Sequence, residues 1–295
     1  MDQAQQLRNV IKLHNQKNVT PARVITITSG KGGVGKSNLA VNLAVQLSKK
    51  GKKVIILDAD FGLANVEVMF GTIPKYSLAD VIYNGKPIKE IISQGPNDIG
   101  FISGGSGIMG LNSLSKDKIK TLIRSMSEID ALADIVLIDT GAGISDQVME
   151  FVVNSPEILL VTTPEPSSLT DSYSLLKALY KSDEFSEDNV KIHVLANKVT
   201  SQEDGVAVFD KLNSVVEQFL NGNLDYIGVI PQDTVLERAV RRQKIVSITD
   251  PKADSSRAFE ILADNLLEGT HHQVQFSRGL LHFLSNFFMR KGWDS

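Results

Sequence analysis

The stretch that decides the fold is Gly30-Lys31-Gly32-Gly33-Val34-Gly35-Lys36-Ser37. It matches the pattern G-x-x-x-x-G-K-[S/T], in which glycines allow backbone N–H groups to turn toward phosphates. The β-branched run Val24–Thr28 precedes it and the helical pattern Ser37–Lys50 follows it. A phosphate-binding loop requires this strand–loop–helix context, whereas a glycine-rich turn with two surface lysines does not.

The residue types in the loop predict a nucleotide with Mg²⁺. We expect Lys36 to reach the β- and γ-phosphates and the Ser37 hydroxyl to bind Mg²⁺. The positive end of the helix dipole favours phosphate at the same place. The residues expected to hold ATP or ADP here are Gly30, Lys31, Gly32, Gly33, Val34, Gly35, Lys36, Ser37 and Asn38.

Outward from the loop, short apolar runs alternate with helical patterns. Continuous apolar runs of this kind indicate strands buried on both faces, as in a parallel sheet with crossover helices. The pattern predicts one doubly wound, mostly parallel α/β sheet flanked by helices over residues 22–268. A short helical segment, residues 1–21, precedes it and an amphipathic segment, residues 269–295, follows it. The predicted strands are Val24–Thr28, Val54–Leu57, Ile135–Ile138, Ile158–Val161, Ile192–Leu195 and Tyr226–Val229.

Composition limits the function classes. The 295 residues are 42% hydrophobic and 22% charged, which is typical of a globular protein with a sizeable core. The net charge of -3 gives no global positive field to recruit nucleic acid. The absence of cysteine excludes disulfides, iron–sulfur clusters and thiolate metal sites. No apolar run is long enough for a transmembrane helix and the N-terminus lacks a signal-peptide pattern, so we expect a cytoplasmic protein.

Lys31 connects the loop with a known family. A phosphate loop needs no lysine at its second position, and this second cation can reach a nucleotide on a facing subunit. The sequence GKGGVGKS resembles the deviant Walker A motif of the ParA/MinD class of ATPases. The resemblance implies that Lys31 acts across a face-to-face homodimer that encloses two ATP molecules, and it implies ATP hydrolysis.

Acidic residues follow two of the predicted strands, at the sheet edge where such folds present their sites. Asp139 ends the run Ile135–Ile138 and is a candidate to hold Mg²⁺ through water. Asp58-Ala59-Asp60, with Asn65 after it, resembles the first switch segment of MinD proteins. The resemblance implies that Asp58 supports the metal and Ser37, and that Asp60 positions the attacking water.

Later strand ends supply the predicted base contacts. By the same resemblance, Asn197 contacts the adenine edge, and its amide offers the required donor and acceptor. Pro231, Gln232 and Asp233 resemble the segment that packs along the base. The segment Thr163–Ser168, with Asp171, matches the MinD pattern before a helix that contributes to partner docking in that family.

The C-terminal segment is strongly amphipathic. Its basic and polar residues lie opposite an apolar face, and Trp293 follows. This pattern is typical of a helix that lies in a membrane interface, with docking on the protein's own core as the alternative. MinD-type proteins carry such a membrane-targeting helix, so we expect reversible binding to anionic lipids at the inner face of the cell membrane. The apolar face consists of Phe276, Leu280, Leu281, Phe283, Leu284, Phe287 and Phe288.

The N-terminal segment distinguishes subgroups of the class. Its pattern D-Q-A-x-x-L-R resembles the start of the FlhG family, also called YlxH or FleN, of flagellar-number ATPases. That resemblance implies activation of an FlhF-type signal-recognition GTPase, and flagellar C-ring proteins as further partners. Alternatives are a MinD-type division-site ATPase, a ParA-type DNA partition ATPase and a nucleotide-sensing scaffold. The predicted partner-binding residues are Asp2, Gln3, Ala4, Leu7 and Arg8.

A specific nucleic-acid site is not expected. ParA proteins usually bind DNA through a basic surface, and a local basic cluster is present only in the segment LERAVRRQK. A solvated helix face near the nucleotide explains the same residues. The cluster consists of Arg238, Arg241, Arg242 and Lys244.

Overall fold

A computed structural model describes residues 21–60, 65–105, 128–186 and 190–273, together with residues 118, 122, 125 and 126. The predicted N-terminal activator helix and the predicted C-terminal amphipathic helix lie outside the described residues. Their boundaries and roles therefore stay predictions.

Within the described residues, eight strands form one sheet in the order β3-β4-β2-β5-β1-β6-β7-β8. The short strand β3 pairs with β4 in antiparallel orientation, and the other neighbouring pairs are parallel. The predicted doubly wound α/β fold is confirmed. The strands are β1 (Arg23–Ser29), β2 (Val54–Ala59), β3 (Ser93–Gln94), β4 (Gly100–Ser103), β5 (Ile135–Ala142), β6 (Glu157–Thr162), β7 (Lys191–Val199) and β8 (Asp225–Pro231).

Helices cover both faces of the sheet. Among the described helices, none combines the length and the apolar character needed to span a bilayer. They are α1 (Lys36–Lys49), α2 (Asn65–Phe70), α3 (Leu78–Asn84), α4 (Ile88–Ile91), α5 (Asp146–Val153), α6 (Pro166–Tyr180), α7 (Gln202–Leu220), α8 (Thr234–Arg241), α9 (Val246–Thr249) and α10 (Asp254–Glu268).

The continuous apolar runs result from burial on both faces. All six residues of β2 are buried, with Ile56 in the core beneath α1 and its neighbours Ile55 and Leu57 in the core beneath α3 and α4. Side chains of a strand alternate between faces, so a strand covered on both sides needs apolar residues at every position. Each of the six predicted runs lies within an observed strand.

Two strands were missed by the sequence analysis. The antiparallel β3 and the short β4 extend the sheet beyond β2. Phe101 of β4 is fully buried, with its ring centroid 5.3 Å from that of Phe70. A four-residue run between polar turns is too short for periodicity to identify, so its pairing with β2 is what establishes β4 as a strand.

A partly buried charge cluster joins the amino ends of β1, β6, β7 and β8, at the opposite side of the sheet from the phosphate loop. Arg23 Nε and Nη2 donate to Glu157 at 2.8 and 2.6 Å, and Arg23 Nη1 donates to the Leu266 carbonyl in the last turn of α10. His193 lies between Glu157, at 3.0 Å, and Asp225, at 2.6 Å. The hydrogen bonds and positive charges of His193 and Arg23 outweigh the effect of burial on Glu157 and lower its pKa to about 2. The carboxylate therefore stabilises the folded chain at neutral pH.

We expect Glu157→Gln to lower the free energy of unfolding at pH 7 by roughly 1–3 kcal/mol, because the partly exposed Arg23 and the buried His193 lose the carboxylate that they share. The folded-state pKa lies below the usual value of 4.5, so the contribution is fully present above pH 4.5 and is lost as pH falls toward 2. Urea denaturation measured from pH 7 down toward pH 2 follows this loss across the pH range in which Glu157 takes up its proton. Glu260→Gln, at an exposed and distant ion pair, is the control. A difference between Glu157→Gln and wild type that stays constant below pH 4.5 would contradict this account.

Candidate nucleotide-binding site

The phosphate loop leaves β1 at the carboxyl edge of the sheet. Strand β1 lies between β5 and β6, so the loop has acidic strand ends on one side and the start of α6 on the other. A Cβ at Gly30 would lie 2.1 Å from the backbone of Asp171 in α6, which explains why this position must be glycine. The loop is therefore packed against its neighbours rather than free in solution.

Lys36 is buried at the first turn of α1. Its Nζ donates to Ser29 Oγ at 2.8 Å, and Ser29 Oγ in turn donates to the Lys31 carbonyl at 2.7 Å. Burial lowers the pKa of Lys36, and the carboxylates of Asp139 and Asp60 oppose that shift. The structure thus places the predicted phosphate-binding cation beside two of the three predicted acids.

Asp58 and Asp139 are almost completely buried beneath the loop. Asp58 accepts hydrogen bonds from the backbone N–H groups of Val66 and Asp60, each at 3.2 Å. Among the described residues, neither carboxylate oxygen of Asp139 has a hydrogen-bond partner of normal geometry. Burial, together with the Asp139 charge, raises the pKa of Asp58 to about 7. Burial raises the pKa of Asp139 to about 6 against the effects of Ser37 and Lys36.

These groups fit a divalent cation held together with a nucleotide. A buried carboxylate such as that of Asp139, whose oxygens have no hydrogen-bond partner of normal geometry among the described residues, is costly unless a cation or its water ligands reach it. The described residues contain no cluster of three or more His, Cys, Asp or Glu side chains suited to bind a metal alone. Mg²⁺ commonly keeps several waters and relies on substrate phosphates. Ser37, Asp58 and Asp139 would hold Mg²⁺ in that way, and the ion would neutralise phosphate charge.

Asp60 lies at the mouth of the site. It lines a cavity of about 620 Å³ together with Lys36 and Ser37. Asn65 Nδ2 donates to Asp60 Oδ2 at 3.2 Å. Burial raises the pKa of Asp60, whereas Lys36 and Asn65 lower it. Its place beside the phosphate-binding lysine is compatible with holding a water, and that role stays a prediction.

Lys31 contacts its own chain. Its Nζ lies 2.6 Å from Glu165 Oε2 and donates to Ser167 Oγ at 2.7 Å. Both partners belong to the start of α6, and Lys31 lowers the pKa of Glu165. The predicted role across a dimer would require Lys31 to leave these partners.

The predicted base contacts line a second cavity, of about 300 Å³, next to the loop. Asn197 Nδ2 donates to the Val34 carbonyl at 2.6 Å, so part of its amide already binds the loop. Asp233 accepts from Val235 N at 2.7 Å and from Ser255 Oγ at 2.7 Å, which caps α8 and joins it to α10. Pro231 and Gln232 line the cavity between them. Base recognition by these residues stays a prediction.

Three contacts of the site were not anticipated from the sequence. Ser29 binds Lys36, the pair Glu165 and Ser167 binds Lys31, and Lys198 Nζ donates to the Gly33 carbonyl at 2.8 Å. Ser29 directly precedes the loop and Lys198 directly follows Asn197, so proximity to predicted site residues was the available signal. Their hydrogen bonds depend on tertiary packing, and no spacing between residues in the sequence predicts them.

Comparison with known proteins agrees with this architecture. A family model described as "ParA: NUBPL iron-transfer P-loop NTPase" matches residues 20–267. The chain is 40% identical to the antiactivator FleN of Pseudomonas aeruginosa, over 83% of this chain and 86% of FleN. It is 33% identical to the flagellum site-determining protein YlxH of Helicobacter pylori, over 90% of each. The MinC:MinD complex of Aquifex aeolicus contains a chain of the same fold, with a TM-score of 0.68 at 24% identity, covering 87% of this chain and 99% of that one.

The phosphate loop between β1 and α1 and the acids at adjacent strand ends define a P-loop nucleoside triphosphatase. Together with the comparisons, they show that the chain belongs to the ParA/MinD family of P-loop ATPases, in the group of FleN and YlxH. Iron transfer, named in the description of the family model, cannot use cysteine-bound clusters here because the chain contains no cysteine.

We expect Lys36→Ala to abolish nucleotide binding, because the phosphates lose their buried cation. Isothermal titration with ATP and Mg²⁺ measures this loss. Lys49→Ala, at the other end of the same helix, is the control. An ATP affinity of Lys36→Ala within a few-fold of wild type would refute the assignment of the loop.

Proposed function

We propose that this protein is an ATP-dependent, dimerising and membrane-associating ATPase that controls flagellar number and placement. The observation that carries the proposal is the similarity to FleN and YlxH along most of the chain, combined with an intact phosphate loop that contains Lys31. ATP and Mg²⁺ would drive dimer formation, and hydrolysis would return monomers to the cytosol.

Exposed aliphatic side chains near the candidate nucleotide site support the proposal of a dimer. Val68 of α2 and Val240 of α8 line the same cavity as Lys36, and their exposed fractions are 48% and 42%. Ile144, which follows β5, is 55% exposed. Apolar groups that surround a site in this way are a surface that association would remove from water. A second copy facing the nucleotide would cover them.

The ion pair of Lys31 provides a link between the dimer and a partner surface. If Lys31 moves to the nucleotide of the facing subunit, Glu165 and Ser167 at the start of α6 lose their direct contact with the Lys31 ammonium group. The exposed start of α6 would then change its charge when ATP joins the two subunits. This is the helix that the family resemblance associates with partner docking, and flagellar C-ring proteins are the proposed partners.

Membrane association would depend on the dimer. A single short amphipathic helix binds a bilayer weakly and reversibly, whereas two linked helices bind much more tightly by avidity. The apolar face that begins at Phe276 is the proposed anchor, and anionic lipids are its proposed ligand. The protein would therefore alternate between the cytoplasm and the inner face of the cell membrane.

We expect Asp60→Ala to keep ATP binding and to accumulate as a dimer with ATP, because the attacking water is no longer held. Size-exclusion chromatography with ATP and with ADP measures the dimer, and co-sedimentation with anionic vesicles measures the anchor. Asp183→Ala, in an exposed loop, is the control. An Asp60→Ala protein that stays monomeric with ATP would rule out this role of Asp60.

Two substitutions in the C-terminal segment distinguish the contribution of the proposed membrane anchor from that of dimer formation. Phe287→Glu should abolish sedimentation of the Asp60→Ala dimer, and Ser285→Glu should not, since the same charge falls on the polar face. Equal sedimentation with ATP and ADP would argue against dimer-dependent attachment.

A synthetic peptide of residues 1–23 is expected to accelerate GTP hydrolysis by an FlhF-type protein, because a docked helix needs only its own face and a groove. Gln3→Ala should still bind but stimulate little, since its amide is proposed to orient the water. Leu7→Asp should not bind. Gln6→Ala, at a variable position of the pattern, is the matched control. Phosphate release and titration with labelled peptide distinguish these cases.

Failure of both the peptide and the full chain to stimulate GTP hydrolysis would favour the division-site alternative. Undiminished stimulation by Gln3→Ala and Leu7→Asp would show that the N-terminal pattern has no such role.

A further inference from the structure

The end of β7 contacts the phosphate loop on the side of the second cavity, which Asn197 and Lys198 both line. The register between β7 and β8 shifts between Asn197 and Val199, and Lys198 between them adopts a left-handed backbone with φ 59°. A lysine in this conformation is uncommon and is found where surrounding structure requires it. Here the conformation places two consecutive side chains against the same loop.

The two side chains bind two consecutive carbonyls of the loop. Lys198 Nζ donates to the Gly33 carbonyl at 2.8 Å, and Asn197 Nδ2 donates to the Val34 carbonyl at 2.6 Å. The Lys198 backbone N–H donates to Asn197 Oδ1 at 2.9 Å, which fixes the orientation of the amide. A Cβ at Gly35 would lie 2.5 Å from Asn197 Nδ2, so glycine at this position permits the close approach.

Because of peptide geometry, these two contacts also fix the direction of two backbone N–H groups in the phosphate loop. In a planar trans peptide the C=O and the N–H point in opposite directions. Holding the Gly33 carbonyl outward therefore directs the Val34 N–H inward, and holding the Val34 carbonyl outward directs the Gly35 N–H inward. Inward N–H groups of a phosphate loop are its phosphate ligands.

We propose that Asn197 and Lys198 are positioning residues, which act through the loop to aim the N–H groups of Val34 and Gly35 at the phosphates. This proposal deepens the assignment of the nucleotide site and rests on it, but it is independent of the dimer, the membrane and the flagellar partners. It differs from the expectation that Asn197 recognises adenine, because it assigns its effect to the phosphates.

The two roles predict different ligand dependences. Tripolyphosphate has no base, so a residue that only reads adenine leaves its affinity unchanged. A residue that aims the loop changes the affinity for ATP, GTP and tripolyphosphate by the same factor and keeps the ratio of ATP to GTP affinity. The ATP affinity of the wild-type protein tests whether this is a nucleotide site at all. The ratio of a variant's ligand affinity to that of the wild type tests the positioning role.

Isothermal titration of the full-length chain with Mg²⁺ and each of the three ligands provides the test. Lys198→Asn removes the Nζ while asparagine tolerates the left-handed backbone. Loss of one charge-assisted hydrogen bond should weaken all three ligands by about fivefold to tenfold. Lys198→Arg should restore most of the affinity. Lys191→Asn, at the opposite end of β7, should have no effect.

Asn197→Ala separates positioning from charge. It removes a neutral donor, so a similar loss of tripolyphosphate affinity cannot come from a lost positive charge. The backbone amide signals of Val34 and Gly35 should shift in proton–nitrogen correlation NMR spectra of ligand-free Lys198→Asn and ligand-free Asn197→Ala. Loss of ATP affinity with unchanged tripolyphosphate affinity would overturn the proposal, and so would a changed ATP to GTP ratio. A tripolyphosphate loss confined to Lys198→Asn would also overturn it, because charge alone would then suffice.

Discussion

The rest of the structure depends on a group of charges buried beneath the phosphate loop. Asp58 and Asp139 lie near the carboxyl ends of β2 and β5, Lys36 lies in the first turn of α1, and all three are nearly removed from water. Isolated charges at such depth are costly, and these three compensate one another only in part. The raised pKa values of the two acids express that imbalance. A bound cation and phosphate would complete the compensation, so the fold prepares the site before any ligand arrives.

Much of this arrangement could be predicted from the sequence because its causes are local. The glycines of the loop, the strand before it and the helix after it are contiguous, and the runs that end at Asp58 and Asp139 follow from burial on both faces of the sheet. The contacts of Ser29, Glu165 and Lys198 could not be predicted, because they form between segments that only tertiary packing brings together. The cluster of Arg23, Glu157 and His193 was missed for the same reason.

Two lysines, Lys31 and Lys198, connect the phosphate loop to α6 and β7, and both lie near Glu165. Lys31 binds the start of α6 through Glu165, and Lys198 at the end of β7 binds the Gly33 carbonyl. Lys198 also contributes to the lowered pKa of Glu165, so the two cations share one acidic neighbour. Withdrawal of Lys31 would leave Glu165 with Lys198 close by. The acid at the start of α6 would then keep a cation near it, which would lower the electrostatic cost of moving Lys31 to another subunit.

The two terminal segments connect to the domain at the amino ends of the strands, on the side of the sheet opposite the phosphate loop. Arg23 begins β1 directly after the N-terminal segment, and it donates to the Leu266 carbonyl in the last turn of α10, which precedes the C-terminal segment. His271 follows α10 and contacts the Tyr226 carbonyl near the start of β8 at 2.9 Å. Both segments therefore connect to the domain at the amino ends of the strands, whereas the candidate nucleotide site lies at their carboxyl ends. In a dimer formed across the nucleotides, neither attachment point would be covered by the facing subunit. The segments proposed to bind a partner and a membrane are thus connected to the domain on the side opposite the proposed ATP site, so a response to ATP need not compete with them for the same surface.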